Sequence, residues 1–233
     1  MPTQSEGALD RDDVYRRVLW KIVPFLLVGY LICRIDTAIV GYAKLEFVRQ
    51  LHFSEAVYGF GAGVFYLGYA LCEVPSNLYL ERYGVRRTLL RIMTLWGAIT
   101  VAMMFMRDST QFVLARFFLG MAEGGFFPGI LLYLTYWLPP DKRATGFSIF
   151  IMANPIAGAI GGVLSGLVMK TAGAALGLAG WQALFLSMGL PAIVLGIVSY
   201  FYLVDRPETA PWLNSTEKAL IARETATLGV TCH

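Results

Sequence analysis

Six stretches of the chain, at about 20–43, 55–80, 88–106, 110–137, 145–169 and 181–203, each run for 19 or more mostly apolar residues. Nothing else in the sequence constrains the fold as much. A helix rises about 1.5 Å per residue, so about 20 apolar residues cross the roughly 30 Å of a bilayer's hydrocarbon. Open strands are excluded because hydrocarbon offers no partners to edge N–H and C=O groups, and the alternating ten-residue pattern of an outer-membrane barrel is missing. The expected fold is therefore all-α: a six-helix transmembrane bundle over 20–203, an N-terminal segment 1–19 before it and a polar tail 204–233 after it. Composition agrees, since 57% of residues are hydrophobic and 15% charged, against about a quarter charged in soluble domains.

Lysine and arginine give the expected orientation. With the N-terminus in the cytoplasm, thirteen of the nineteen fall on the inside, four (Lys44, Arg49, Arg107 and Lys170) fall outside, and Arg34 and Arg116 lie within spans. The positive-inside rule then places both termini in the cytoplasm. Trp20, Trp137 and Trp181 stand at expected span ends, where interfacial rings collect. The polar start mixes acid with base and is followed by no A-x-A site, so the first apolar run is expected to remain a span and not to be cleaved as a signal peptide. A net charge of +3, with its bases scattered at span ends, excludes a nucleic-acid stripe. Cys33, Cys72 and Cys232 have no metal-ligand spacing, so neither metal nor cofactor is expected. Asn214-Ser215-Thr216 matches a glycosylation acceptor on the expected inside face, which marks it as a chance match.

Two charges interrupt the fourth span, RFFLGMAEGGFFPG at 116–129. Each costs about 2.5–3.5 kcal/mol at a bilayer centre on insertion scales. Seven residues apart on a helix, Glu123 lies about 20° round from Arg116 and about 10.5 Å along the axis, so both point to one face. Gly120 lies between them and Gly124 beside it, which leaves the wall between the charges bare, as an aqueous cavity requires; a structural ion pair with another helix also fits. In the first span, Arg34 either reaches the same cavity or pairs with a carboxylate, and Asp36 adds an acid. Tyr66 and Tyr69 of the second span either line the cavity or pack. Gly158, Gly162 and Gly166 recur every four residues, the spacing of close helix packing, after Asn154-Pro155, a possible flexing point.

The loop SNLYLERYGVRR, 76–87, carries Glu81, Arg82, Gly84, Arg86 and Arg87. On its own it could be a positive-inside anchor with a tight bend. Its order resembles the second-to-third-helix signature of the major facilitator superfamily, with Glu81 where most members have Asp. FSEAVYGFGAGVFYLGYALCEVPSNLYLER, RFFLGMAEGGFFPG, YLTYWLPPDKRA and LVDRPETAPWLNSTEKALI together resemble the anion:cation symporter family within it, the sugar-acid, tartrate and phthalate permeases. The resemblance runs from about 14 to 221 and covers the N-terminal six-helix half of a twelve-helix fold. It implies that Arg116 serves an anionic substrate, that Glu123 serves proton coupling with Asp36 at the family's acid, and that the 81–87 loop gates conformation. It also implies an inner-membrane location. Thr37 and Ile39 stand where the family has arginine and asparagine, so Arg34, one turn earlier, is the candidate replacement cation.

These readings give a secondary transporter half that moves an organic anion, such as a sugar acid or carboxylate, together with protons, with a complementary six-helix half as a possible partner. A truncated, non-transporting membrane protein or assembly partner is the alternative. An intramembrane enzyme is disfavoured because neither G-x-S-x-G nor H-E-x-x-H occurs.

Overall fold

The computed structural model describes residues 10–226, and no strand occurs among them. α1 runs Arg11–Gln50, α2 Glu55–Tyr83, α3 Val85–Met103, α4 Ser109–Glu123, α5 Phe126–Trp137, α6 Pro140–Leu176 and α7 Gly180–Tyr202. A short 3-10 turn at Pro207–Thr209 leads to α8, Ser215–Ala226. Several starts are set by local chemistry: the side chains of Asp10, Ser54 and Asp108 accept from the backbone N–H of Asp12, Val57 and Gln111, satisfying donors that a first turn leaves open. Asn214 accepts from Glu217 N while the Glu217 carboxylate accepts from Asn214 N, so the Asn-Ser-Thr triplet caps α8.

α4 and α5 form one rod, so the described chain makes six rods of span length. Five of them meet the length and apolarity of a membrane span, the fourth being counted as Ser109–Trp137. The remaining rod, α3, falls short because Arg86, Arg87 and Arg91 occupy its first two turns. The expected continuous fourth helix is broken at Gly124-Gly125. Gly125 is left-handed, with φ 89°, and a side chain there would strike Ser76 of α2. α1 starts at Arg11, ahead of the apolar run that marked the first span, and continues unbroken into it.

α2 lies along α4, α3 along α7, and α1 along α6 and α7. Lipid gives helices little hydrophobic reason to associate, so small residues that admit close backbone approach do much of the work. Gly97 and Gly189 make one such seam: a Cβ on either would lie 2.6 Å from the other's carbonyl oxygen. Gly68, Gly120 and Gly124 make another between α2 and α4. The wall expected to be bare at Gly120 is thus filled by helix backbone, because α2 lays Phe65 and Tyr69 directly against it.

Two further expectations are corrected. Among the described residues, no neighbouring atom beyond their own stretch of helix lies within 4 Å of where a Cβ on Gly158 or Gly166 would stand, and Gly162 only touches Tyr42. α6 instead turns Ala153, Ala157, Gly161 and Ser165 inward, and Gly161 meets Ile35 and Tyr42 of α1. Of the three span-end tryptophans, only Trp20 is exposed. Trp137 stacks on Trp212, and Trp181 Nε1 donates to Gln50 Oε1 at 2.5 Å, so both pin helix ends from inside.

The two ends of the described chain meet on one face. Arg11 Nε donates to Glu224 Oε1 at 2.9 Å and Arg11 Nη2 to Asp141 Oδ1 at 3.1 Å, while Lys142 pairs with Asp12 and Arg17 with Glu217. These contacts fasten α8 and the start of α6 to the start of α1.

Candidate functional site

α1 crosses the bundle with Cys33 and Thr37 four residues apart on one face, the spacing at which helical side chains become neighbours. Both reach Glu123 of α4. Thr37 Oγ1 lies 3.2 Å from Glu123 Oε2, and Cys33 Sγ lies 3.7 Å from the same oxygen. Asp36 lies beside Glu123 as well, and its Oδ2 accepts from Thr100 Oγ1 of α3 at 3.0 Å. Glu123 and Asp36 are each only 1% exposed, and each retains one carboxyl oxygen, Oε1 and Oδ1, without a hydrogen-bond partner among the described residues.

Arg116 is 3% exposed, makes no ion pair among the described residues, and leaves Nε and Nη1 without partners. Its guanidinium lies 4.3 Å from the ring centre of Phe65, a stacking that suits a weakly hydrated planar cation. The interhelical ion pair that also fitted the sequence is therefore not a direct contact among the described residues, although Asp36 of α1 acts on Arg116 electrostatically.

A cavity of about 140 Å³ opens beside this cluster, and Arg34, Tyr66, Tyr69 and Glu123 all line it, together with Thr37 and Phe65. Four residues chosen from sequence thus converge on one space. Arg34 is exposed and pairs with no carboxylate among the described residues. Tyr66 stands 63% exposed, while Tyr69 is half-buried. Arg116 and Asp36 do not line the cavity; Arg116 lies against Phe65, and Asp36 lies between Thr100 of α3 and Glu123. Tyr30 closes one side, its hydroxyl donating to Asn154 Oδ1 of α6 at 3.3 Å, next to Pro155. A cation, a carboxylate and hydroxyls around one small space can hold an anionic group and exchange a proton with it. Among the described residues no cluster of His, Cys, Asp and Glu could hold a metal ion.

The 81–87 loop is only partly gathered. Gly84, at φ 87°, ends α2 so tightly that a side chain would strike the Asp205 carboxylate. Asp205 Oδ1 accepts from Arg86 N at 3.0 Å, and Arg86 Nε donates to Tyr200 O at 2.6 Å. The loop is thereby tied to the end of α7. Glu81, Arg82 and Arg87 stay exposed, with Arg82 over the Tyr83 ring. Sequence reasoning missed Phe65, Thr100 and Asp205, and it gave Cys33 no role at the site. The Cys33-to-Thr37 spacing was the one available signal, since it put a second polar group on the face of Cys33.

A sequence profile described as the Major Facilitator Superfamily matches residues 26–230. A relative in Agrobacterium vitis named for tartrate transport is 45% identical over 205 residues, covering 88% of this chain and 47% of its own length. One in Pseudomonas putida, named as the metabolite transport protein NicT, is 42% identical over 213 residues, covering 91% and 49%. The crystal structure of a bacterial homolog of the human lysosomal transporter Spinster, inward-facing and occupied, superposes with a TM-score of 0.71 at 23% identity, over 83% of this chain and 45% of that one. The fold is that of a multi-pass membrane transporter, not an enzyme, and the chain belongs to the Major Facilitator Superfamily. The tartrate and NicT-type names among its relatives agree with the anion:cation symporter resemblance of its motifs. The chain spans about half the length of the curated relatives it matches.

Proposed function

We propose that the chain is the N-terminal half of a secondary transporter that moves an organic anion, a sugar acid or small carboxylate, with protons. One observation carries the reading: Arg116 is buried with two guanidinium nitrogens that have no hydrogen-bond partner among the described residues. A buried guanidinium with unfilled hydrogen bonds is costly even with the Glu123 and Asp36 carboxyls in its neighbourhood, and in a membrane such residues mark substrate pathways. A mobile carboxylate supplies the missing charge and fills the fork in two hydrogen bonds. Arg34 lines the cavity from which Arg116 is separated by Phe65, and adds a second cation in place of the arginine absent at Thr37.

Glu123 is the proton carrier in this account, and Asp36 the second acid. The bundle spans 20–203 of an inner membrane with both termini and the 81–87 gate loop in the cytoplasm. α2 and α6 are the span helices least covered by the rest of the chain, and the open face at Gly158 and Gly166 suits a second six-helix bundle. In such folds the site forms between two halves that rock about it.

The test joins this chain to a complementary half in liposomes and compares Arg116→Lys with the parent. Lysine is a point charge that cannot form the bidentate pair, so organic-anion affinity should drop by roughly tenfold or more, the equivalent of about 1.4 kcal/mol. Unchanged affinity in a folded variant removes Arg116 from the site.

A further inference from the structure

Thr37 Oγ1 lies 2.9 Å from the carbonyl oxygen of Cys33 and 3.2 Å from Glu123 Oε2. A hydroxyl has one proton, whereas a backbone carbonyl and an ionised carboxylate can only accept. The two contacts are therefore both hydrogen bonds in one state alone. When Glu123 carries a proton, its O–H donates to Thr37 Oγ1 and the Thr37 O–H donates to Cys33 O. When Glu123 is ionised, the Thr37 O–H, a stronger donor than the Cys33 thiol at 3.7 Å, turns to the carboxylate, and Cys33 O loses its hydroxyl. No proton leaves Thr37 in either direction; only its torsion changes.

A threonine bonded to the carbonyl four residues back bends its helix. The bond in question brackets Arg34, which lines the same cavity as Glu123 and Thr37. We propose that Thr37 is a positioning residue that reads the protonation state of Glu123 and transmits it to the local bend of α1, and so to the placement of Arg34. This rests on the reading of Glu123 as proton carrier. It also gives a role to the threonine found where the family's arginine would stand.

Other titratable groups face Glu123 and have to be separated from it: Tyr30, Cys33, Arg34 and Asp36 of α1, Tyr66 and Tyr69 of α2, and Arg116 of its own helix. The experiment isolates one pair. The chain contains a single Cys–Arg dipeptide, Cys33-Arg34, so labelling cysteine carbonyls with carbon-13 and arginine amides with nitrogen-15 yields one correlated NMR signal from the protein in lipid bilayers. Its carbonyl shift is followed across pH beside the infrared carboxyl band that Glu123→Gln removes. The two should move with one midpoint. In Thr37→Val the Glu123 band should still titrate while the Cys33 carbonyl loses its pH response, and Thr37→Ser should restore it. A carbonyl that still follows pH in Thr37→Val overturns the relay, as does a parent carbonyl that stays fixed while the Glu123 band titrates. If the Glu123 band itself never changes with pH, the proton-carrier reading fails and the relay fails with it.

Discussion

Replacing Gly120 by alanine adds one carbon at the closest point between α2 and α4. That carbon would meet the Phe65 carbonyl, with the carbonyl carbon at 2.9 Å and Tyr69 N at 3.0 Å, where ordinary contact begins at 3.4 Å. Both obstacles are backbone, so no side chain can swing aside, and because the Phe65 oxygen is closer still, the helices must part by about an ångström or more. Overpacking of this kind costs about 1–3 kcal/mol. Alanine also gains about 1 kcal/mol over glycine in a helix interior, which obscures the loss in a single comparison. Gly158→Ala supplies the control, because it makes the same exchange within α6 and meets nothing within 4 Å. The difference between the two variants in reversible denaturation of the detergent-solubilised chain should therefore be about 1–3 kcal/mol, with Gly120→Ala the weaker. Equal stabilities would show that the α2–α4 seam is not as tight as described. The loss should also reach the site, since parting these helices draws Arg116 from Phe65.

Two other outcomes follow from charge. On the face where the ends meet, the Arg11 hydrogen bonds hold the Glu224 and Asp141 carboxyls below their usual range, and Lys142 does so for Asp12. A depressed folded value means that the stabilisation is complete above the ordinary carboxyl range near about pH 4 and is lost as pH falls through the folded values. A spin label at exposed Ala219 should accordingly stay immobile at neutral pH and loosen in acid; mobility constant down to strongly acid pH would count against these contacts as the fastening of α8. Reporter fusions after Lys170 and after Arg206 should show opposite sidedness, and identical sidedness would overturn the six-span topology.

The spans were legible because apolarity over 19 or more residues has few uses other than crossing a bilayer. The charges at Arg116 and Glu123 were legible for the complementary reason, that nothing but a site or an ion pair repays their cost. What sequence could not supply was the rotation of each helix about its axis. Small residues at Gly120 and Gly124 serve equally as cavity wall or packing seam, and the close approach of α2 decides for the seam. The Gly158 series shows the reverse, since α6 buries the Ala157, Gly161 and Ser165 stripe one residue round, with Gly161 against α1, and leaves Gly158 and Gly166 open. Partners distant in sequence, such as Asp205 against Gly84 or Thr100 against Asp36, have no local pattern that announces them.

The central claim is that Glu123 carries the proton that drives an anion held by arginine. With the chain joined to a complementary half in liposomes, substrate accumulation under an imposed pH gradient is measured beside counterflow exchange at equal pH. Glutamine has the shape and hydrogen-bonding capacity of the protonated acid but cannot release a proton. Glu123→Gln should thus abolish gradient-driven accumulation and keep exchange close to the parent rate. A variant that still accumulates substrate in response to the pH gradient would contradict the account and move the coupling role to Asp36.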